Sequence, residues 1–234
     1  MPTEAAVLDA LSGVRDPELD EPITDLKFVS GLEINEDSVF VRLRLPTYFC
    51  AANFAYLMVA DAKEALIGLP DVKHASVVLD GNYVSGEINT GMAEGRGFQE
   101  TFPGETESED LDELRSIFRR KSFVSRQEKL CRALMADGRI PAELAEMTLG
   151  DVPSSEAFEK YLDRRGELGL DTSPEEPLLV DPAGKKVPGE AVVEHLKFSR
   201  VTRLGIESNA GFCRGLLAAR YGDVPGITEK EATL

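Results

Sequence analysis

Residues 39–45 alternate without a break: Val39, Val41, Leu43 and Leu45 fall on one side, Phe40, Arg42 and Arg44 on the other. A period of two is the mark of a strand that buries one face and wets the other. The preceding stretch, residues 27–34, puts Phe28, Ser30, Leu32 and Ile34 on a common face, and Asn35-Glu36-Asp37-Ser38 between them is turn chemistry. Together they predict an antiparallel hairpin. Immediately afterwards the period changes. Phe54, Leu57, Met58, Ala65 and Leu66 recur at helical spacing over residues 51–67, and Gly68 and Pro70 close that helix. Residues 72–79 (VKHASVVL) read as a third strand, ended by Asp80-Gly81-Asn82. Upstream, Val7, Leu8 and Leu11 predict a helix over residues 4–13 that stops at Gly13. Because the third strand follows a crossover helix it can pair parallel. The expectation is an α+β unit, αββαβ, with a three-stranded mixed sheet over residues 1–85.

Residues 86–110 change character. GEINTGMAEGRG is glycine-rich and ETFPGETESED is acidic, and neither carries core periodicity, so a linker is expected there. Residues 111–234 read as mainly helical. Leu111, Leu114, Ile117 and Phe118 make an apolar stripe, and Ser125-Arg126-Gln127-Glu128 has the pattern of a capping box opening a new helix. Pro153-Ser154-Ser155 starts another helix, Leu178-Leu179-Val180 reads as a short strand before a turn, and two helices follow near 189–198 and 199–221, stopped by Gly222.

The net charge of −16 argues against a nucleic-acid partner, since phosphate binding needs clustered Lys and Arg, and disfavours an anionic membrane. The N-terminal MPTEAAVLDALSGV has no positive region or apolar run of a signal peptide, and no stretch approaches the roughly eighteen apolar residues of a membrane span. Three dispersed cysteines, Cys50, Cys131 and Cys213, cannot form a complete set of internal disulfides and suggest a reducing compartment. A cytoplasmic protein is expected.

The residue that invites chemistry is Cys50, in Thr47-Tyr48-Phe49-Cys50 between the alternating strand and the helix. A thiol at a helix N-terminus meets free backbone N–H groups and the positive end of the helix dipole, which favour the thiolate. The other candidates are more ambiguous. Asp16 and Glu18 lie in Asp16-Pro17-Glu18, as turn acids or as cation ligands, and Thr47 supports the Cys50 loop or faces solvent. Asp25 suits a backbone turn better than a metal, His74 an exposed or satisfied strand position, and Cys131 the apolar face of its helix. Cys213 sits in SNAGFCRG near Gly205, Gly211 and Gly215, which suit close packing or close ligand approach equally. Val192 breaks the Glu-x-x-His pattern that a diiron bundle would want before His195.

VRDPELDEPITDLKFVSGLEI, VFVRLRLPTYFCAANFAYLM and DVKHASVVL, in this order, resemble the metal–sulfur cluster assembly domain family, of the PaaD, SufT and MIP type. That family shows an Asp-Pro-Glu turn, a strand start of the form D-L-G-hydrophobic-V, and a Thr-containing loop ending in Cys-Pro. Here Asp16-Pro17-Glu18, Asp25-Leu26-Lys27-Phe28-Val29 and Pro46-Thr47-Tyr48-Phe49-Cys50 fill those places. Lys27 stands where glycine is usual, Ala51 follows Cys50 where proline is usual, and the Thr47–Cys50 loop is one residue shorter. The resemblance covers residues 4–85 and implies a non-enzymatic iron–sulfur or iron-centre maturation factor. Cys50 would be the iron or cluster thiolate, Thr47 its supporting residue, and Asp16 and Glu18 further metal-ligand candidates. It implies a transient iron–sulfur cluster or iron as cargo. The partners would be a client metalloprotein, such as a multicomponent oxygenase, or other assembly factors. One cysteine cannot saturate a cluster held by four thiolates, so a homodimer or a client's own ligands would complete it. The alternative is an interaction module that has kept the fold alone. A thiol enzyme ranks last, because a nucleophilic cysteine usually needs a base and the chain has only His74 and His195.

Overall fold

The computed structural model describes residues 1–104 and 111–222. In chain order the first half forms α1 (Glu4–Ser12), β1 (Val29–Asn35), β2 (Ser38–Arg44), α2 (Ala52–Ile67) and β3 (His74–Asp80). The sheet has the order β1-β2-β3. The β1–β2 pair is antiparallel and the β2–β3 pair parallel, so it is mixed as expected. Asn35 faces Ser38 across the hairpin, and Glu36 takes a positive φ of 54° to turn the chain. The alternation of β2 sends Val39, Val41 and Leu43 into the core beside Val77 and Leu79 of β3. Against them α2 lays Ala55, Met58, Val59, Ala62 and Leu66, and α1 packs on α2.

Residues 86–104 are not the linker that their composition suggests. α3 (Ser85–Glu94) and α4 (Phe98–Thr101) fold back on the sheet, and Ile88, Met92, Phe98 and Phe102 join the same core. Asn89 clips α3 to the free edge of β3: its Oδ1 accepts from Leu79 N at 2.8 Å and its Nδ2 donates to Leu79 O at 3.0 Å. An edge strand's unpaired amide and carbonyl are thereby satisfied. The glycines that suggest flexibility serve packing instead. A Cβ on Gly91 would run into the Thr101 side chain, so only glycine lets α3 and α4 meet. The acidic residues 105–110 of that stretch lie outside the described residues.

The remainder forms α5 (Asp112–Ala136), α6 (Pro141–Glu146), α7 (Glu156–Glu167) and α8 (Val192–Tyr221). Two expected breaks are absent. Ser125–Glu128 do not open a helix; they lie buried in the middle of α5, because Gln127 and Glu128 bond to other elements rather than to a helix start. Gln127 donates to Tyr161 Oη at 3.1 Å and to Val180 O at 3.0 Å, and Glu128 pairs with Arg203. The two helices expected near 189–198 and 199–221 are one continuous α8, preceded by a 3-10 turn at Gly189–Ala191. Leu178–Val180 form no strand; Val180 alone of the three makes an isolated bridge, to Lys186. Ser155 does cap α7, accepting from Phe158 N at 3.2 Å.

The chain divides into two compact units. One comprises Met1–Asp112 together with the chain from Asn209 onward; the other is Glu113–Ser208. Residues 209–221 of α8 are thus part of the first unit, where Ala210 and Leu217 are buried in its core. The second unit has a core of its own, built around Phe123, Leu130, Tyr161, Leu179 and Val192. Among the described residues, no helix is long and apolar enough to cross a membrane.

Candidate functional site

Because β2 and β3 run parallel side by side, their carboxyl ends lie together, and the loops leaving them meet. The first loop is Thr47–Cys50. Thr47 Oγ1 accepts from Phe49 N at 3.2 Å and stands 3.3 Å from Cys50 Sγ, so one hydroxyl sets both the turn and the sulfur. Cys50 itself precedes Ala51, the N-cap of α2, and is half-buried. The sequence places the thiol at the helix N-terminus; the structure sets it one residue before the cap, with the Thr47 hydroxyl as its polar partner.

The second loop follows β3. Asn82 is buried, donates from Nδ2 to Cys50 O at 3.0 Å, and accepts at Oδ1 from Val84 N at 3.1 Å. Tyr83 N donates to Tyr48 O at 2.9 Å. The thiol loop is therefore fixed by the loop beside it. Asn82 escapes a reading of the sequence, where Asp80-Gly81-Asn82 is only a turn; nothing local says that its side chain reaches back 32 residues. On these two loops three rings stay in water. Tyr48 is 50%, Phe49 78% and Tyr83 44% exposed, with ring centroids 5.1–6.4 Å apart.

Asp16 makes an Asx turn. Its Oδ1 accepts from Glu18 N and Leu19 N, both at 2.9 Å. Burial pushes its carboxyl up to about 6, against the pull of those two amides and with help from Glu18 and Glu21. Glu18 Oε1 accepts from Asn209 Nδ2 at 3.2 Å, and Glu21 pairs with Arg214. Asp25 is exposed, and Lys27, at the glycine position, takes a left-handed φ of 59°.

The other candidates separate. Cys213 lies half-buried on the part of α8 that belongs to the first unit. Burial pushes its thiol up to about 11, with Asp16, Cys50 and Glu18 adding to the rise and Arg214 opposing it. Cys213 thus shares its neighbourhood with all three. Cys131 is fully buried in the core of the second unit, and burial, then Glu128, pushes its thiol up to about 12. His74 is exposed at the start of β3, the opposite end from Asn82. His195 Nε2 is 2.6 Å from Gln127 Oε1, and burial lowers its pKa against an opposing pull from Asp181. Among the described residues no three or more His, Cys, Asp or Glu side chains are grouped to hold a metal ion. What the geometry offers is a half-buried thiol whose loop is held in place, with Cys213 in its electrostatic neighbourhood.

A family model described as iron–sulfur cluster assembly protein matches residues 4–77, which run from α1 into β3 and include the whole Thr47–Cys50 loop. An uncharacterized protein of Methanocaldococcus jannaschii is 30% identical over 95 residues, covering 40% of this chain and 98% of its own length. No family model matches the C-terminal half. Through its αββαβ unit, the chain belongs to the iron–sulfur cluster assembly protein family.

Proposed function

We propose that this protein holds iron or an iron–sulfur cluster in transit on Cys50 and passes it to a client metalloprotein, without catalysing a reaction of its own. The carrying observation is the thiol loop. Cys50 is half-buried, its Sγ set by Thr47 and its carbonyl by Asn82, and the same two loops carry exposed aromatic side chains. A thiolate in such a place can bind iron and release it, because incoming ligands can reach the sulfur. A buried, saturated site would retain the metal instead. The exposed rings of Tyr48, Phe49 and Tyr83 supply the surface that a client would cover during transfer. Asp16 and Glu18 act in this reading as turn formers and helix contacts, since both already hold hydrogen-bond partners.

The second unit supplies client specificity in this proposal. It has its own core, and α8 leaves Phe198, Val201 and Leu204 exposed on it. An iron-dependent multicomponent oxygenase is the client class that the proposal names.

Anaerobic reconstitution with ferrous iron and sulfide tests the carrier. Wild type should develop a charge-transfer spectrum and bind iron and sulfide; Cys50→Ala should do neither. Equal loading of the two proteins would refute Cys50 as the site. The same exposed rings favour a second reading, an interaction module that needs no metal. It expects client binding that is unchanged in Cys50→Ser and lost in Phe49→Ala.

A further inference from the structure

The resemblance assigns the cargo thiol to Cys50, and the last helix packs a second cysteine, Cys213, on the same core. On α8, Asn209, Cys213, Leu217 and Arg220 follow one another at intervals of three or four residues, so they share a face. Two members of that face have fixed partners. At one end Asn209 Nδ2 donates to Glu18 Oε1 at 3.2 Å, beside the Asp16 turn. At the other, Arg220 donates to Leu45 O at 3.2 Å and to Gly81 O. Leu45 leads into the Thr47–Cys50 loop, and Gly81 precedes the Asn82 that holds Cys50 O. Cys213 comes one turn after Asn209 and about two turns before Arg220. It therefore faces the ground between the Asp16 turn and the thiol loop. Its apolar flanks agree: Ala210 and Leu217 are buried in the core on which both Cys50 and Cys213 pack.

We propose that Cys213 is the second thiolate of the cargo site, so that one chain presents two cysteine sulfurs, Cys50 and Cys213, to iron. This rests on the carrier reading and deepens it. Two sulfurs are half of the set of four that a cluster takes. Binding is a ligand exchange in which each thiol gives up its S–H proton as the Fe–S bond forms, with no electron transferred. The contrast with Cys131 is direct. That residue is sealed in the second unit's core, whereas Cys213 keeps part of its surface open and packs on the same core as Cys50.

Wild type, Cys50→Ala, Cys213→Ser and Cys213→Ala are compared in two assays, with circular-dichroism melts to confirm folding. One is anaerobic reconstitution with ferrous iron and sulfide. The other is titration with cobalt(II), whose sulfur-to-metal charge-transfer band grows with the number of thiolates bound. Both Cys213 variants should retain cluster about tenfold less well or worse, and their cobalt band should fall to about half. Full loading and an undiminished cobalt band in both Cys213 variants, with loss only in Cys50→Ala, overturns the second thiolate and leaves the carrier standing. A wild type that takes no cluster, yet shows a cobalt band halved in every variant, keeps the two-thiolate site and sinks the cluster cargo. Absence of both signals from wild type overturns both.

Discussion

Lys27 shows how much one backbone angle can carry. Its φ of 59° is left-handed, a region that costs a side-chain-bearing residue about 1–2 kcal/mol. It is also the position at which the family's glycine is expected, so the departure is a lysine bearing strain that glycine avoids. Lys27→Gly should stabilise the protein by about 1 kcal/mol in urea or thermal unfolding, net of the extra freedom glycine gives the unfolded chain. A loss of stability would mean that the lysine side chain does more than tolerate the turn. Asp16 makes a second prediction at this scale. Burial raises its carboxyl from the ordinary 3.8 to about 6 in the folded protein. The folded state therefore binds the proton more tightly than the unfolded chain, and stability from this group falls as pH rises from about 4 to about 6. Asn at this position keeps the oxygen that caps the Glu18 and Leu19 amides but cannot ionise. Asp16→Asn should flatten that fall and add on the order of 1–3 kcal/mol at pH 7, read from denaturation midpoints across the pH range.

Among the elements, α3 and α4 test whether glycine content means looseness. Gly91 lies where the Thr101 side chain leaves no room for a methyl group. Gly91→Ala should destabilise by about 1–3 kcal/mol despite the better helix propensity of alanine, measured by thermal melting. A stabilised variant would show that the two helices can part at no cost. The same elements mark what the sequence conceals. β1, β2, α2 and β3 are legible because a change of period from two to 3.6 is local and depends on nothing elsewhere. α3 is not: its small and polar residues suit a linker, and its burial is decided by Leu79, Phe98 and Phe102, which the local pattern does not reveal. Ser125–Glu128 mislead in the opposite way, since a capping pattern says nothing about whether Gln127 will find Tyr161 and Val180 across the core. The site divides along the same line. Thr47 and Cys50 are three residues apart and visible as a motif, whereas Asn82 reaches the thiol loop, and Cys213 the core beneath it, only through tertiary structure.

For the whole molecule, the decisive feature is that the first unit is discontinuous, closed by α8 after the second unit has intervened. Leu217, 6% exposed, is buried in the core of a sheet whose strands end at residue 80. Leu217→Ala should cost about 2–4 kcal/mol and lower hydrogen-exchange protection of the β2 and β3 amides as well as those of α8. Protection lost in α8 alone would show that the helix is an ornament on a sheet already complete. Synthesis gives this closure a direction in time. A ribosome adding about 5–20 residues per second leaves roughly 5–20 s between the emergence of Asp112 and that of Asn209. Through that interval the nascent sheet lacks the residues of α8, Ala210 and Leu217, that are buried in its core. The strands of the first unit thus wait for a core partner that is made only after the whole second unit.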